Sequence, residues 1–322
     1  MKKPYLLINK YLNSELNICD VGAAGGISSR WEKIKNLFVI GFEPDEREYV
    51  KLRNSKNQKW FNIGLNHTKG NYPLYITNYQ TNTSLYKPNI SLINELCLSN
   101  DDFNIEKEIE IDCDSLDDIL EVNNLSLDYI KLDTQGSELD ILKGGNFVLE
   151  RDIFAVESEV EFAELYKNQP LFTDFDLFMR KKGFILMDIG NMVHIKGKYT
   201  IGIGGLKSFL ISGDALYFKS INQTIEMIKI NGIDKLHKVI AICLVYGYND
   251  YALEICYRIQ NENVIPFDNL KDLIEDLKKI HNSSHYIPEF KYKTYLRKLF
   301  SQLSDLFNRT KNASWINNLG NN

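Results

Sequence analysis

Cysteine is scarce in this chain, and its copies are spread apart. The 322 residues contain five cysteines, an odd number, and no two of them form a C-x-x-C pair. A disulfide framework needs an even, clustered set, and a structural zinc site needs closely spaced ligands. Four of the histidines also lie at no spacing from a carboxylate or cysteine that is typical of metal ligands. They are His67, His237, His281 and His285. We therefore expect reduced thiols and no bound metal.

Long apolar runs and an excess of basic charge are missing as well. The longest uncharged apolar runs, such as 240–247, are far shorter than the ~20 residues that cross a bilayer. Lys plus Arg number 38 against 43 Asp plus Glu, a net charge of -5, so no overall positive field attracts nucleic acid. Residues 4–12 are too short and too polar for the core of a secretion signal. These absences predict a cytoplasmic protein without a nucleic-acid partner.

Short apolar runs alternate with helical spacing through about residue 220. The first two runs, 17–21 and 38–43, are typical of buried parallel strands. Further strands are predicted at 60–64, 72–77, 105–113, 127–133, 153–159, 184–189 and 209–219. Helices are predicted at 28–36, 45–54, 115–122, 137–149 and 172–182. This alternation predicts a doubly wound α/β sheet whose ligand lies beyond the carboxyl ends of the strands.

After about residue 220 the pattern becomes wholly helical. Apolar residues at helical spacing predict helices at 224–230, 233–245, 250–260, 268–280 and 292–307. We therefore predict an α/β domain at 1–220 and a helical C-terminal region at 221–322. The helical region is expected to associate with a partner or with a second copy of the chain as a homo-oligomer.

A glycine-rich turn follows the first strand and leads into a predicted helix. Its sequence, DVGAAGG from Asp20 to Gly26, differs from the D-x-G-x-G-x-G loop of methyltransferases only at Ala24. The dinucleotide fingerprint G-x-G-x-x-G would need glycine at Ala24 and a small residue at Ile27. Glu43 ends the second strand, where a carboxylate can accept hydrogen bonds from both hydroxyls of a ribose. The spacing therefore favours S-adenosylmethionine over NAD and disfavours an NAD-dependent oxidoreductase.

Four motifs occur in the order found in the FkbM family of S-adenosylmethionine-dependent methyltransferases. They are the glycine turn at 20–26, GFEPD at 41–45, SLDDI at 115–119 and KLDTQGSE at 131–138, with LKG following at 142–144. Over roughly residues 15–220 the chain resembles this family. The resemblance implies a Rossmann-like class I methyltransferase fold, with a mostly parallel sheet and an antiparallel last strand. It also implies O-methylation of a hydroxyl on a sugar, glycan or glycoconjugate.

The resemblance also indicates candidate site residues. It implies that the cofactor contacts Asp20, Gly22, Ala23, Gly25, Gly26, Glu43 and Pro44. Removal of the acceptor's proton requires a base, and Asp133 is the first candidate because it ends a predicted strand. Glu157 and Glu159 are the next candidates, since residues two apart share one face of a strand. Gln135 stands where the family commonly has Glu, which leaves a non-catalytic cofactor-binding module in an assembly as the alternative.

The last predicted helix is basic. Between 291 and 311, six Lys and Arg residues oppose a single acidic residue, Asp305. One helical face carries the apolar residues Tyr292, Leu296, Phe300, Leu303 and Phe307. This pattern is typical of an interfacial helix on anionic lipid or of a helix packed on its own domain. We expect packing, with peripheral membrane contact as the alternative.

Overall fold

A computed structural model describes most of the chain. The described ranges are 3–22, 26–52, 54–96, 98–195, 209–282, 290–307 and 313–316. Their strands are β1 Leu16–Val21, β2 Leu37–Phe42, β3 Gln58–Phe61, β4 Gly64–Leu65, β5 Gly70–Thr77, β6 Ile105–Asp114, β7 Tyr129–Leu132, β8 Ala155–Glu161, β9 Phe184–Ile195, β10 Phe209–Lys219 and β11 Ala313–Ile316. Their helices are α1 Lys3–Tyr11, α2 Glu46–Tyr49, α3 Ile90–Glu95, α4 Asn100–Phe103, α5 Leu116–Val122, α6 Glu138–Gly144, α7 Asn146–Arg151, α8 Phe172–Lys181, α9 Ile221–Val245, α10 Asn249–Asn261, α11 Phe267–Asn282 and α12 Lys293–Phe307.

Eight strands form the main sheet, in the order β11-β9-β10-β8-β7-β1-β2-β3. The strands from β3 to β8 in this order are parallel, whereas β10 runs antiparallel to both β8 and β9. The predicted mostly parallel, doubly wound sheet with an antiparallel strand at its end is confirmed. The chain leaves β1 in one direction and returns to β7 on its other side, so the strand order reverses between β1 and β7. Ligands of doubly wound sheets bind at this reversal.

Strands β4, β5 and β6 leave the main sheet and form a small one in the order β4-β6-β5. The sequence predicts strands at 72–77 and 105–113 but does not separate them from the main sheet. The burial along β6 explains the separation, because the first eight of its residues are exposed or half-buried. A strand of that kind does not fit a parallel sheet that helices cover on both faces.

Apolar residues pack in two layers on opposite faces of the main sheet. In β1, Leu16 and Ile18 belong to one layer, and Cys19 and Val21 belong to the other. The first layer continues into α9, α10 and α11, and α1 packs against α9 and α11. The predicted helices of the C-terminal region are confirmed as α9 to α12, and the core of α9, α10 and α11 is continuous with that of the sheet. The prediction of a wholly helical region is wrong at β11, which pairs with β9 at the edge of the main sheet. None of the described helices has the length and apolar character needed to cross a membrane.

Three helix predictions differ from the structure. The helix predicted at 28–36 is absent, and successive tight turns, which bury both Trp31 and Ile34, take its place. The helix predicted at 45–54 is only α2, with Asp45 accepting a hydrogen bond from the Arg47 backbone at its start. The helix predicted at 137–149 is divided into α6 and α7 at Gly145, which packs closely on Leu116.

Candidate active site

The glycine turn after β1 lies against the turn that follows β7. Gly22 has a φ of +75°, and a Cβ placed on it would lie 1.9 Å from the carbonyl oxygen of Asp133. A side chain at Gly22 would therefore be strained by its backbone angle and by this contact. Gly26 has a φ of +82°, but no atom of the described residues lies within 4 Å of a Cβ placed there. Ala23 and Gly25, which the sequence predicts as cofactor contacts, lie outside the described residues.

One cavity joins the turn after β1 to the turns after β2 and β7. Its lining includes six of the residues predicted for the site, Asp20, Gly22, Gly26, Glu43, Pro44 and Asp133. The cavity lies at the carboxyl ends of these strands, beside the reversal of strand order. The structure thus brings the predicted cofactor residues and the first predicted base together. Among the described residues that line this cavity, neither Glu157 nor Glu159 occurs.

Glu43 follows β2 and is almost fully buried, with 6% of its surface exposed. Its Oε1 accepts a hydrogen bond from the backbone N–H of Asp45 at 2.9 Å. Burial raises the pKa of Glu43 to about 7, although the hydrogen bond from Asp45 acts in the opposite direction. The contacts of the described residues leave its second oxygen without a hydrogen-bond donor. Glu43 therefore offers one carboxylate oxygen to donors of a ligand in the cavity.

Asp20 and Asp133 share the ammonium group of Lys131. The Lys131 Nζ lies 3.8 Å from Asp20 Oδ1 and 3.2 Å from Asp133 Oδ2. Burial raises the pKa of Asp20 to about 6, against the lowering effect of Lys131. Burial alone would lower the pKa of Lys131, but Asp133 and Asp20 raise it above its ordinary value. The Oδ1 of Asp20 is buried and has no hydrogen-bond partner among the described residues, where its ion pair is with Lys131.

Acidic residues outnumber basic ones in the described lining of the cavity. Five acidic residues belong to this lining, Asp20, Glu43, Asp45, Glu48 and Asp133. Lys131 pairs with Asp20 and Asp133, whereas Asp45 and Glu48 pair with cations outside the lining, Arg47 and Lys51. The remaining excess of negative charge favours a cationic ligand over a pyrophosphate.

Gln135 links Asp133 to Glu159. Its Nε2 donates to Glu159 Oε2 at 2.6 Å and to Asp133 Oδ1 at 3.2 Å, and its Oε1 accepts from the Tyr166 hydroxyl at 3.1 Å. The φ of Gln135 is +59°, a left-handed value that is strained for a residue other than glycine. The surrounding contacts therefore hold the turn in this conformation. A Glu in this position would carry no proton to donate and would add a third carboxylate. The amide of Gln135 therefore makes two donor contacts that the Glu common in the family could not make.

Three further carboxyl groups cluster behind this turn. Glu138, Glu159 and Glu161 each offer an oxygen, and these oxygens lie within 4.8 Å of one another. Glu138 closes the turn by accepting from the backbone N–H groups of Thr134 and Gly136. Burial raises the pKa of Glu159 and of Glu161 well above its ordinary range, and nearby carboxylates raise it further. Glu161 was not predicted from the sequence, although Glu161 follows Glu159 by two residues and therefore lies on the same face of the strand.

Glu157 is placed in a different network. Its Oε2 accepts hydrogen bonds from the hydroxyls of Tyr129, at 2.7 Å, and Tyr246, and the guanidinium of Arg30 lies 3.6 Å away. Trp31 packs against the rings of both tyrosines. Glu157 thus links the segment after the glycine turn to the C-terminal end of α9. These buried contacts give Glu157 a different environment from that of Asp133.

The polar segment at 78–88 forms one wall of the cavity. Five of its residues belong to the lining, Gln80, Thr81, Thr83, Ser84 and Leu85. The Ser84 hydroxyl donates to the Gln135 carbonyl at 2.7 Å, and the Tyr166 hydroxyl lies 3.1 Å from the Asn82 carbonyl. The wall is therefore attached to the same turn that carries Asp133 and Gln135.

We expect Gln135→Glu to destabilise the protein by about 1.5 to 3 kcal/mol at pH 8, because a donor between two carboxylates becomes a third carboxylate. Like charges raise the pKa of the new carboxyl group in the folded state, so the loss should shrink as the pH falls toward 6. Urea unfolding at both pH values in the presence of EDTA measures this effect. The neutral variant Gln135→Met is the control, and an equal pH dependence in both variants would contradict the charge argument.

Comparison with known proteins identifies a family of similar sequences. A family model described as "Methyltransferase FkbM domain" matches residues 20–186, just over half of the chain. No curated protein matches significantly. Among solved structures, a methyltransferase FkbM from Methylobacillus flagellatus KT is 16% identical with a TM-score of 0.35. The match covers 64% of this chain but only 43% of that one.

Two further solved structures are similar over a larger share of their own length. A precorrin-6y C5,15-methyltransferase from Geobacter metallireducens GS-15 is 11% identical with a TM-score of 0.34, covering 67% of this chain and 87% of that one. Magnesium protoporphyrin IX methyltransferase from Synechocystis PCC 6803, with bound SAM, is 10% identical with a TM-score of 0.31. That match covers 67% of this chain and 76% of the other.

Proposed function

Because this chain belongs to the FkbM family of S-adenosylmethionine-dependent methyltransferases, we propose that it methylates a hydroxyl group of a sugar, glycan or glycoconjugate. One observation carries the proposal. The cavity at the reversal of strand order joins the glycine turn, Glu43 and Asp133 in one acidic lining. A cofactor site and a candidate base are therefore adjacent, as transfer from a bound cofactor to an acceptor requires.

The cofactor of the family is S-adenosylmethionine, and the described residues fit it. The second oxygen of Glu43 can accept from ribose hydroxyls, and the Oδ1 of Asp20 can accept from an ammonium group. S-adenosylmethionine supplies a methyl group on a positively charged sulfur, and carboxylates favour a cation of this kind. NAD would place a pyrophosphate against the same carboxylates, which supports the choice of cofactor.

In this proposal Asp133 takes the proton of the acceptor hydroxyl. Its carboxylate lines the cavity and is held by Lys131 and by the Gln135 amide, so its position is fixed before an acceptor binds. Glu159 has a different task, because burial raises the pKa of its carboxyl group well above the ordinary range. Glu159 is absent from the described lining of the cavity and accepts a hydrogen bond from Gln135, so it helps to position the turn that carries Asp133.

The proposal is tested with S-adenosylmethionine whose methyl group carries deuterium, incubated with sugars, oligosaccharides and glycoconjugates. We expect a product heavier by one labelled methyl group that survives alkaline hydrolysis, since ethers resist base and esters do not. Heat-denatured protein is the control. Label found only on nitrogen or as a base-labile ester would contradict O-methylation of a hydroxyl.

We expect cofactor affinity to fall by about fourfold between pH 8 and pH 6.5, because a group with a pKa near 7 loses most of its charge in this interval. The ionised form of Glu43 is the better acceptor for ribose hydroxyls, so protonation weakens binding. Calorimetric titration at several pH values measures the trend. Glu43→Gln should bind more weakly and with little pH dependence above pH 6.5. An unchanged slope in that variant would remove Glu43 from the cofactor site.

We also propose a cytoplasmic location. Cys19, Cys113, Cys243 and Cys256 are buried free thiols, which suits a reducing compartment. Recovery of the protein in a secreted fraction after cell fractionation would contradict this proposal.

A further inference from the structure

Helix α12 exposes its apolar side chains. Phe300 is 65% exposed, Tyr295 67% and Leu303 44%. By contrast, apolar residues of α11 such as Leu273 and Leu277 are fully buried. The sequence analysis expected α12 to pack on its own domain. In the described part of the chain, α11 instead packs against α10 and α1, so the core that α12 would join is already covered.

The exposed residues of α12 are arranged in a regular pattern. Tyr292, Leu296, Leu299, Phe300 and Leu303 recur at spacings of three and four, which places them on one side of the helix. Basic residues border this side, and they are Lys291, Lys293, Arg297 and Lys298. From residue 290 through residue 304 the sequence contains no Asp or Glu. The surface of α12 is therefore apolar along its centre and positively charged along its edges.

We propose that α12 binds the surface of a lipid bilayer that contains anionic lipid. An amphipathic helix with aromatic and leucine residues on one face and basic residues beside them lies in the headgroup region, with its apolar face in the acyl boundary. Long Lys and Arg side chains reach from the edges of such a helix to lipid phosphates. A second copy of the chain fits this surface less well, because two facing α12 helices would bring their like charges together.

The connection to β11 limits how far α12 can lie from the sheet edge that carries the cavity. β11 pairs with Met192–Ile195 at the end of β9. β9 is parallel to β8, since both are antiparallel to β10, so its end lies at the sheet edge that carries the cavity. Six residue steps separate Phe307 from Ala313, and they span at most about 22 Å. When α12 binds a bilayer, the β11 end of that edge therefore stays within this distance of α12, and β7, beside the cavity, lies four strands further along the sheet.

The proposal is tested by sedimenting the full-length protein with vesicles of phosphatidylcholine alone and with vesicles in which a third of the lipid is phosphatidylglycerol. We expect binding to the anionic vesicles only, and weaker binding as salt is added. The combined variant Lys291→Gln, Arg297→Gln and Lys298→Gln should lower the partition coefficient about a hundredfold, from roughly a factor of five for each charge.

A second variant, Leu296→Ser with Phe300→Ser, separates insertion from simple charge attraction. It should lose vesicle binding while its circular dichroism spectrum stays native-like. The matched control is Ile230→Ser, an apolar residue of α9 that is 82% exposed, and it should bind vesicles as the unchanged protein does. Equal binding to neutral vesicles would overturn the proposal. So would a dimer in sedimentation velocity that only the Leu296→Ser/Phe300→Ser variant loses, because a second copy would then cover α12.

Discussion

Replacing Asp133 with Asn should lower the turnover of methyl transfer by about 10²- to 10⁴-fold while leaving S-adenosylmethionine affinity nearly intact. Asparagine keeps the size of the side chain, and its single oxygen can still accept from either Gln135 or Lys131, but it cannot accept the proton of the acceptor hydroxyl. Single-turnover kinetics combined with calorimetric titration of the cofactor measure the two quantities separately.

The control for this change is Asp102→Asn, the same substitution at an exposed position outside the cavity lining. It should leave both turnover and affinity unchanged. A parallel loss of turnover and affinity in Asp133→Asn would show that Asp133 positions the cofactor instead. Unchanged turnover would show that Asp133 is not the base.

Gly22→Ala should lower the free energy of unfolding by about 2 to 4 kcal/mol and abolish measurable cofactor binding. The new Cβ would meet the Asp133 carbonyl oxygen at 1.9 Å, so the turns after β1 and β7 would have to separate. Both turns line the cavity, and their separation would displace Asp20 and Asp133 together. Urea unfolding and cofactor titration measure the two losses.

Gly26→Ala is a matched control for this effect. Gly26 has nearly the same φ as Gly22, but within the described part of the chain a Cβ there meets no atom within 4 Å. Only the backbone strain remains, and we expect a loss of about 1 kcal/mol. Equal losses in the two variants would mean that the contact between the turns contributes little.

Much of the main sheet can be predicted from the sequence, because each parallel strand is a short buried apolar run. β10 occupies the predicted residues, and the break in α9 at Gly232 falls between the two helices predicted at 224–230 and 233–245. The segment at 28–36 could not be predicted in the same way. Its apolar spacing suits a helix, but burial of Trp31 against Tyr129 and Tyr246 depends on residues far away in the sequence.

In the candidate site, too, local features could be predicted from the sequence and long-range contacts could not. Residues within a local motif, such as Gly22, Glu43 and Asp133, could be found from strand ends and turn chemistry. The contacts of Gln135 with Tyr166 and Glu159, and those of Glu157 with Tyr246, join elements that are distant in the sequence. A pattern of two carboxylates on one strand therefore predicted Glu157 and Glu159 as equivalent candidates. The structure gives them different environments.

Native mass spectrometry of the purified protein, with S-adenosylmethionine and NAD added at equal concentration, tests the central claim most directly. We expect one bound S-adenosylmethionine, or its demethylated product, for each chain and no bound NAD. Bound NAD, or no bound S-adenosylmethionine under conditions in which the protein is folded, would contradict it.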